Sequence, residues 1–218
     1  MKNKAHTVYK LKDGTRVPGA STITGELAWN KQVLMNWAFK LGKEGNVDSM
    51  SAFVDDKAAI GTLGHLLVQD HFGKKKTDTS DYTKNQIDQA ENCLMSYWNW
   101  EKGKTIEPIL LETPLVSETL CYGGTMDFYG KVDGKLTLLD FKTGKGIYDE
   151  YLIQTSAYAM LLEENGHFVD CIQILNIPRS EGESFQVEVL PVGKWDVCRK
   201  IFLNCLNNYN LKKQLKKE

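Results

Sequence analysis

Between Leu27 and Leu41 the apolar residues Trp29, Val33, Leu34, Trp37 and Leu41 recur at the spacing of one face of an α-helix. The stretch from Ala58 to Phe72 repeats the pattern with Leu63, Leu66, Leu67 and Phe72. A third such stretch, from Lys84 to Trp100, carries Ile87, Cys93, Leu94, Tyr97 and Trp98. The polar run Gly73–Asp81 (GKKKTDTSD) separates the second from the third and predicts a loop. After Thr105 the period changes. Ile106–Val116, Cys121–Gly130 and Leu136–Phe141 predict three strands, and Tyr151–Leu162 a helix. Phe168–Ile177 and Ser184–Leu190 predict two more strands, and Trp195–Leu211 a closing helix. Three helices, three strands, a helix, two strands and a helix imply an α/β fold with a mixed sheet and helical cover. No repeat or long Gly/Pro/Ser linker divides the chain. The expectation is one domain over residues 1–218, mainly helical over 1–104 and carrying the sheet core over 105–218.

The segment from Gly123 to Lys142 holds the candidate chemistry. Asp133-Gly134 between two apolar runs is a strong signal for a two-residue type I′ turn, which needs positive φ at both central positions. A hairpin folded about that turn sets Asp127 directly opposite Asp140, with Cβ atoms about 4.5–5.5 Å apart. Strand alternation puts Thr125, Asp127 and Tyr129 on one face with Leu138, Asp140 and Lys142. Met126, Phe128, Leu139 and Phe141 fall on the other, apolar face. Two carboxylates so placed repel one another, and a divalent cation with oxygen ligands relieves this. Lys142, about 7 Å along the strand from Asp140 and on the same side, is placed to polarise a water or balance charge on a phosphoryl group. A solvated surface hairpin is the plain alternative. Leu138 and Leu139 immediately before Asp140 argue against it, because buried charges are paired or bind metal.

Charge and cysteine content narrow the class. Basic residues number 27 and acidic residues 28, and the only arginines are Arg16, Arg179 and Arg199. The balanced charge gives no global field that advertises nucleic acid, and guanine-reading arginines are few, which disfavours a dedicated DNA-coating or sequence-reading protein. The five cysteines, at 93, 121, 171, 198 and 205, form no CxxC pair and read as free thiols in a reducing compartment. The N-terminal MKNKAHTVYKLKDG has no apolar signal core, and no run reaches membrane-spanning length, so a soluble, cytoplasmic protein is expected. TGKG at 143–146 does not satisfy the P-loop pattern.

The combination of GTMD, LLDFKTG and QTSAY resembles the PD-(D/E)XK nuclease superfamily in its RecB-like branch, and is similar to phage-type exonucleases and the mitochondrial genome maintenance exonucleases. The resemblance runs from about Gly61 to Leu162, and more loosely back to PGASTITGELAW. It implies a restriction-endonuclease-like core. Asp127 matches the first acid, Asp140 the second and Lys142 the lysine of the D-x-K element. The backbone carbonyl of Phe141 is implied as a further metal ligand. Gln154 and Tyr158 match the Q-x-x-x-Y helix, and their i, i+4 spacing puts them on one helix face. Plain amphipathic packing is the other reading of that pair. A lone helical histidine is more often a structural residue, but this branch carries a metal-binding histidine upstream of the acids. His65, in GTLGHLLVQ, matches it, with Gly61 and Gly64 allowing close helix–sheet contact. His71 and His6 lack such a context. Glu112, in LLETPL, is implied as a supporting acid or an ion-pair partner, and Thr143 as a hydrogen-bond donor near the metal. Some relatives hold an iron–sulfur cluster on four cysteines. This chain has no cysteine before Cys93 and only Cys198 and Cys205 late, so no cluster is expected.

The resemblance implies a Mg2+- or Mn2+-dependent deoxyribonuclease, specifically an exonuclease acting on DNA with free ends and preferring single strands. With no ATPase motif in the chain, a helicase or recombination protein would be a partner. Trp29 and Trp37 with Lys31, Lys40 and Lys43 suit a cover through which a single strand threads. The burial tendency of tryptophan favours instead a helix packed on the sheet with both rings in the core. A structure-selective endonuclease on the same fold and a non-catalytic DNA-binding protein are the alternatives. The intact D…DxK…QxxxY set disfavours the latter.

Overall fold

The computed structural model describes residues 7–29, 31–45, 49–73 and 76–216. Residues 74 and 75 of the expected 73–81 loop, and His6, lie outside this set. The elements are β1 (Tyr9–Lys10), β2 (Arg16–Val17), α1 (Ala20–Thr24), α2 (Lys31–Lys43), α3 (Met50–Gly73), α4 (Lys84–Glu101), β3 (Ile106–Ser117), β4 (Tyr122–Val132), β5 (Lys135–Lys142), α5 (Asp149–Glu164), β6 (Cys171–Asn176), β7 (Gln186–Val189) and α6 (Val192–Leu215). Each element expected from the apolar pattern is present with its ends moved by a few residues. The largest change is α3, which starts at Met50 rather than Ala58. The short hairpin β1–β2 and the single turn α1 carry too few periodic residues to be visible in sequence. No helix among the described residues is long and apolar enough to cross a membrane.

The central sheet is mixed, in the order β3-β4-β5-β6-β7. Only β5 and β6 run parallel, and α5 is the crossover that a parallel pair requires. The turn joining β4 to β5 has Asp133 at φ 50° and Gly134 at φ 82°, as a type I′ turn demands. From it the ladder runs in the expected register, Val132 against Lys135 through to Phe128 against Leu139.

Each face of the sheet is covered. On one side Met126, Tyr129, Leu138 and Ile174 pack with residues of α1, α5 and α6, including Ile23, Ile153, Leu161 and Phe202. On the other, Phe128, Leu139, Phe141 and Leu175 pack with Val68 of α3 and Cys93 and Tyr97 of α4. Met126 therefore lies across the sheet from Phe128, whereas strict alternation places them together. The alternation resets at a matched pair. Leu111 pairs with Phe128 and Thr113 with Met126, while Glu112 and Asp127 between them drop out of the ladder, Glu112 at φ 41°.

Helix α2 corrects the core reading of the N-terminal tryptophans. None of its residues is buried, Trp29 just before it is 55% exposed, and Val33, Leu34, Met35 and Phe39 are exposed. Trp37 meets Phe53 of α3, ring centroids 5.9 Å apart. The sheet face under α3 and α4 is already filled, so no sheet face remains for α2 to cover.

Candidate active site

Beyond Phe128 and Leu139 the strands β4 and β5 no longer pair, and the side chain of Asp127 takes over the bonding. Its Oδ2 accepts the backbone N–H of Phe141 at 2.7 Å, and its Oδ1 lies 3.1 Å from His65 Nδ1. The direct facing of Asp127 and Asp140 expected from the register thus stops one pair short. Asp127 is instead stitched to β5 on one side and to α3 on the other. Glu112 faces it from β3, and ligand atoms of His65, Glu112 and Asp127 all lie within 4.8 Å of one another. Among the described residues this is the one such grouping of His, Cys, Asp or Glu.

Asp140, on β5, is 2% exposed, and its Oδ2 lies 2.7 Å from Lys142 Nζ. The contact is a close ion pair that meets the charge, and a carboxylate has further lone pairs to offer a second partner. Lys142 Nζ donates to Gln154 Oε1 at 3.1 Å, and Gln154 Nε2 donates to the Tyr158 hydroxyl at 2.7 Å. The i, i+4 pair on α5 therefore faces the hairpin as a relay that fixes the lysine. Phe141 enters through its N–H and its ring, which meets His65 edge-on at 6.1 Å. The side chain of Thr143 faces α3, where a Cβ added to Gly61 would stand 2.9 Å from its Oγ1. The glycine spacing in GTLGHLLVQ accordingly admits Thr143, and Gly64 admits Cys93 of α4 as well.

The surroundings drive the two acids apart. Burial pushes Asp127 up, but His65, Lys142 and the Phe141 N–H more than reverse this, and its carboxyl sits below the usual range. Burial pushes Asp140 up, Lys142 opposes this only partly, Asp127 adds to it, and the group reaches about 6. Burial pulls the His65 imidazole down, and the neighbouring Asp127 carboxylate outweighs it to give a net rise. Lys142 is likewise pulled down by burial and held above its ordinary value by Asp140 and Asp127. Burial holds the Tyr158 hydroxyl well above its ordinary value, so it stays protonated. Two carboxyl groups pushed in opposite directions around one lysine are a frequent mark of acid–base or metal chemistry.

Two contributors were not singled out from sequence. Tyr151 lies under Lys142, whose Nζ is 4.8 Å from the ring centroid. Its place three residues before Gln154, on the same helix face, was an available signal. Tyr9 of β1 bonds through its hydroxyl to Thr125 Oγ1 at 2.9 Å, and its ring fills the space a side chain at Gly123 would need. Nothing local in the sequence announces a contact across that separation.

Neither family models nor curated proteins give a match to the chain. Solved structures do. A "Putative exonuclease" from Eubacterium rectale is 11% identical over 68% of this chain and 68% of its own, with a TM-score of 0.45. An alkaline exonuclease from Laribacter hongkongensis is 13% identical over 78% of this chain and 88% of its own, with a TM-score of 0.34. A structure of that Laribacter protein in complex with dAMP is similar at 13% identity over 72% and 84%, with a TM-score of 0.33.

Proposed function

We propose that this protein is a metal-dependent deoxyribonuclease that hydrolyses phosphodiester bonds from DNA ends, with a preference for single strands. The observation that carries the reading is the buried Asp140–Lys142 pair standing beside the His65, Glu112 and Asp127 cluster. Among well-packed groups, acids are kept this close to one another where a cation joins them. The donor set fits a Mg2+ or Mn2+ ion. One imidazole nitrogen and two carboxylates converge, and Asp140 Oδ2 and the Phe141 carbonyl complete the set in this reading. Such an ion, when bound, lowers the pKa of a coordinated water and offsets charge on the phosphate.

The chain's own groups supply the rest. Lys142 keeps its proton, because two carboxylates hold its pKa up, and so brings a fixed positive charge to the phosphate. Gln154 and Tyr158 hold that ammonium in place, and Tyr151 closes off its underside. Support for single strands comes from α2 and the residue before it, where the exposed aromatic and apolar side chains of Trp29, Val33 and Phe39 occur among Lys31, Lys40 and Lys43.

The test is digestion of DNA labelled at the 5′ or 3′ end, linear against covalently closed, with Mg2+, with Mn2+ and with chelator. Metal-dependent loss of linear single strands with survival of closed circles is expected. No cleavage with either ion would overturn the nuclease reading, and efficient cutting of closed circles would replace end entry with the endonuclease alternative.

A further inference from the structure

A cleft of about 360 Å3 opens between the start of α5, β7 and the start of α6. It lies outside the charged cluster but is joined to it through two aromatic rings. Lys142 Nζ sits over Tyr151, and Tyr151 meets Tyr148 at 5.6 Å with the rings 73° apart. Tyr148 is 48% exposed and stands at the edge of the cleft. The two rings thus lead from the lysine to the cleft in steps of 4.8 and 5.6 Å.

We infer that this cleft is a nucleobase subsite, taking the base of a nucleotide next to the bond that is cut, with Tyr148 as its stacking face. The inference rests on the nuclease reading above and adds where the substrate is held. The walls suit a flat ring with an apolar face, since Ile147, Leu152 and Val187 line them. Their charge suits a base and rejects a phosphate. Asp149 and Glu188 both border the cleft, and the one lysine there, Lys194, is already held by Glu188 at 2.9 Å. Carboxylates accept from the exocyclic amines of adenine, cytosine and guanine, while the phosphates stay toward Lys142. The floor is fixed, because Gln186 Oε1 accepts the N–H of Ile147 at 3.3 Å and ties β7 to the loop after β5. Stacking on one aromatic face is tolerant of sequence, and its loss lowers affinity by roughly 5- to 150-fold.

The experiment uses the full chain and oligodeoxynucleotides carrying 5-iodocytosine, which keeps the exocyclic amine, at one position each, irradiated in chelator so that nothing is cut, with the cross-linked peptide identified by mass spectrometry. A cross-link at Tyr148, lost in Tyr148→Ala, is expected. In steady-state cleavage Tyr148→Ala should raise KM about tenfold or more with a smaller change in kcat, and Tyr148→Phe, which keeps the ring, should restore it. An abasic residue at the cross-linking position should impose the same penalty on the wild type and none on Tyr148→Ala. Cross-linking confined to α2, or an unchanged KM in Tyr148→Ala, overturns the subsite. Absence of cleavage by the wild type bears on the nuclease reading alone, since the cross-link is read without it.

Discussion

Replacing Lys142 with methionine separates the electrostatic role of this residue from its bulk. Methionine keeps most of the side-chain length and leaves Asp140, 2% exposed, with no cation at 2.7 Å. Asp140 titrates near 6 in the folded protein against 3.8 as a free group. At ~1.36 kcal/mol per unit, ionising it in the metal-free wild type costs on the order of 3 kcal/mol of stability. The sign follows from the raised pKa. The folded state binds the proton more tightly than the unfolded chain, so stability is fully present below about pH 4 and falls as pH rises through about 6. Lys142 limits that fall, and the variant removes the limit, moving the Asp140 pKa further up. We expect Lys142→Met to be close to wild type in stability at pH 5, where Asp140 is protonated in both. At pH 8 it should be less stable by up to about 3 kcal/mol, because keeping the proton two pH units above the wild-type value of about 6 costs ~1.36 kcal/mol per unit and no more. Denaturant unfolding in chelator at both pH values measures the difference, and cleavage at pH 8 with Mn2+ should be abolished. A destabilisation equal at pH 5 and pH 8 would refute the electrostatic argument and leave a packing defect. Cleavage within a few-fold of wild type would remove Lys142 from the active site.

Three further outcomes follow from the same geometry. Glu112→Gln should weaken Mn2+ binding by roughly tenfold or more, because an amide is a poor ligand for a hard cation; calorimetry giving an unchanged affinity would leave Glu112 as a structural acid. Gly124→Ala places a Cβ 2.6 Å from Tyr158 Cε1, which should cost about 1–3 kcal/mol and lower kcat by displacing the Tyr158–Gln154–Lys142 relay, and a wild-type Tm and kcat together would contradict that. Tyr9→Phe removes the 2.9 Å bond to Thr125 and should cost about 0.5–1.5 kcal/mol in thermal or denaturant unfolding, whereas no change would mean the β1 hairpin is held by ring packing alone.

Local chemistry made the hairpin legible in advance. Asp133-Gly134 fixes the turn, the turn fixes the register, and the register sets Asp127 and Asp140 near one another at its open end. The spacing of Gln154 and Tyr158 gave their common face for the same reason, since both rest on helix geometry over a single turn. The position of α2 was not legible, because its apolar stripe marks a helix without saying whether a sheet face remains for it to cover. Phe128, Leu139, Phe141, Val68 and Tyr97 already close the near face. Tyr9 was hidden for a related reason. Its contact with Thr125 depends on where the chain returns after β3, which no local pattern encodes.

The reset at Glu112 and Asp127 explains both the error in the face assignment and the form of the site. A regular strand shows each side chain to one face only, so one hairpin on its own offers a cluster to α5 or to α3 but not to both. Asp127 escapes this by using its carboxylate, rather than its backbone, to accept the N–H of Phe141. The bond across the strands is kept, the strands are free to part, and the same carboxylate reaches His65 on the α3 side. Asp140 and Lys142 meanwhile stay aligned with α5, where Gln154 holds the lysine. Glu112 drops out at the matching position on β3, which keeps that pair in register on either side of the break. Residues from both layers of the fold thereby converge at one opening in the sheet, with the low-pKa acid beside the imidazole and the high-pKa acid beside the ammonium. Period-two reasoning finds the hairpin's own members, Asp127, Asp140 and Lys142, but not His65 or Glu112, and it misplaces neighbours wherever a side chain substitutes for the backbone in the ladder.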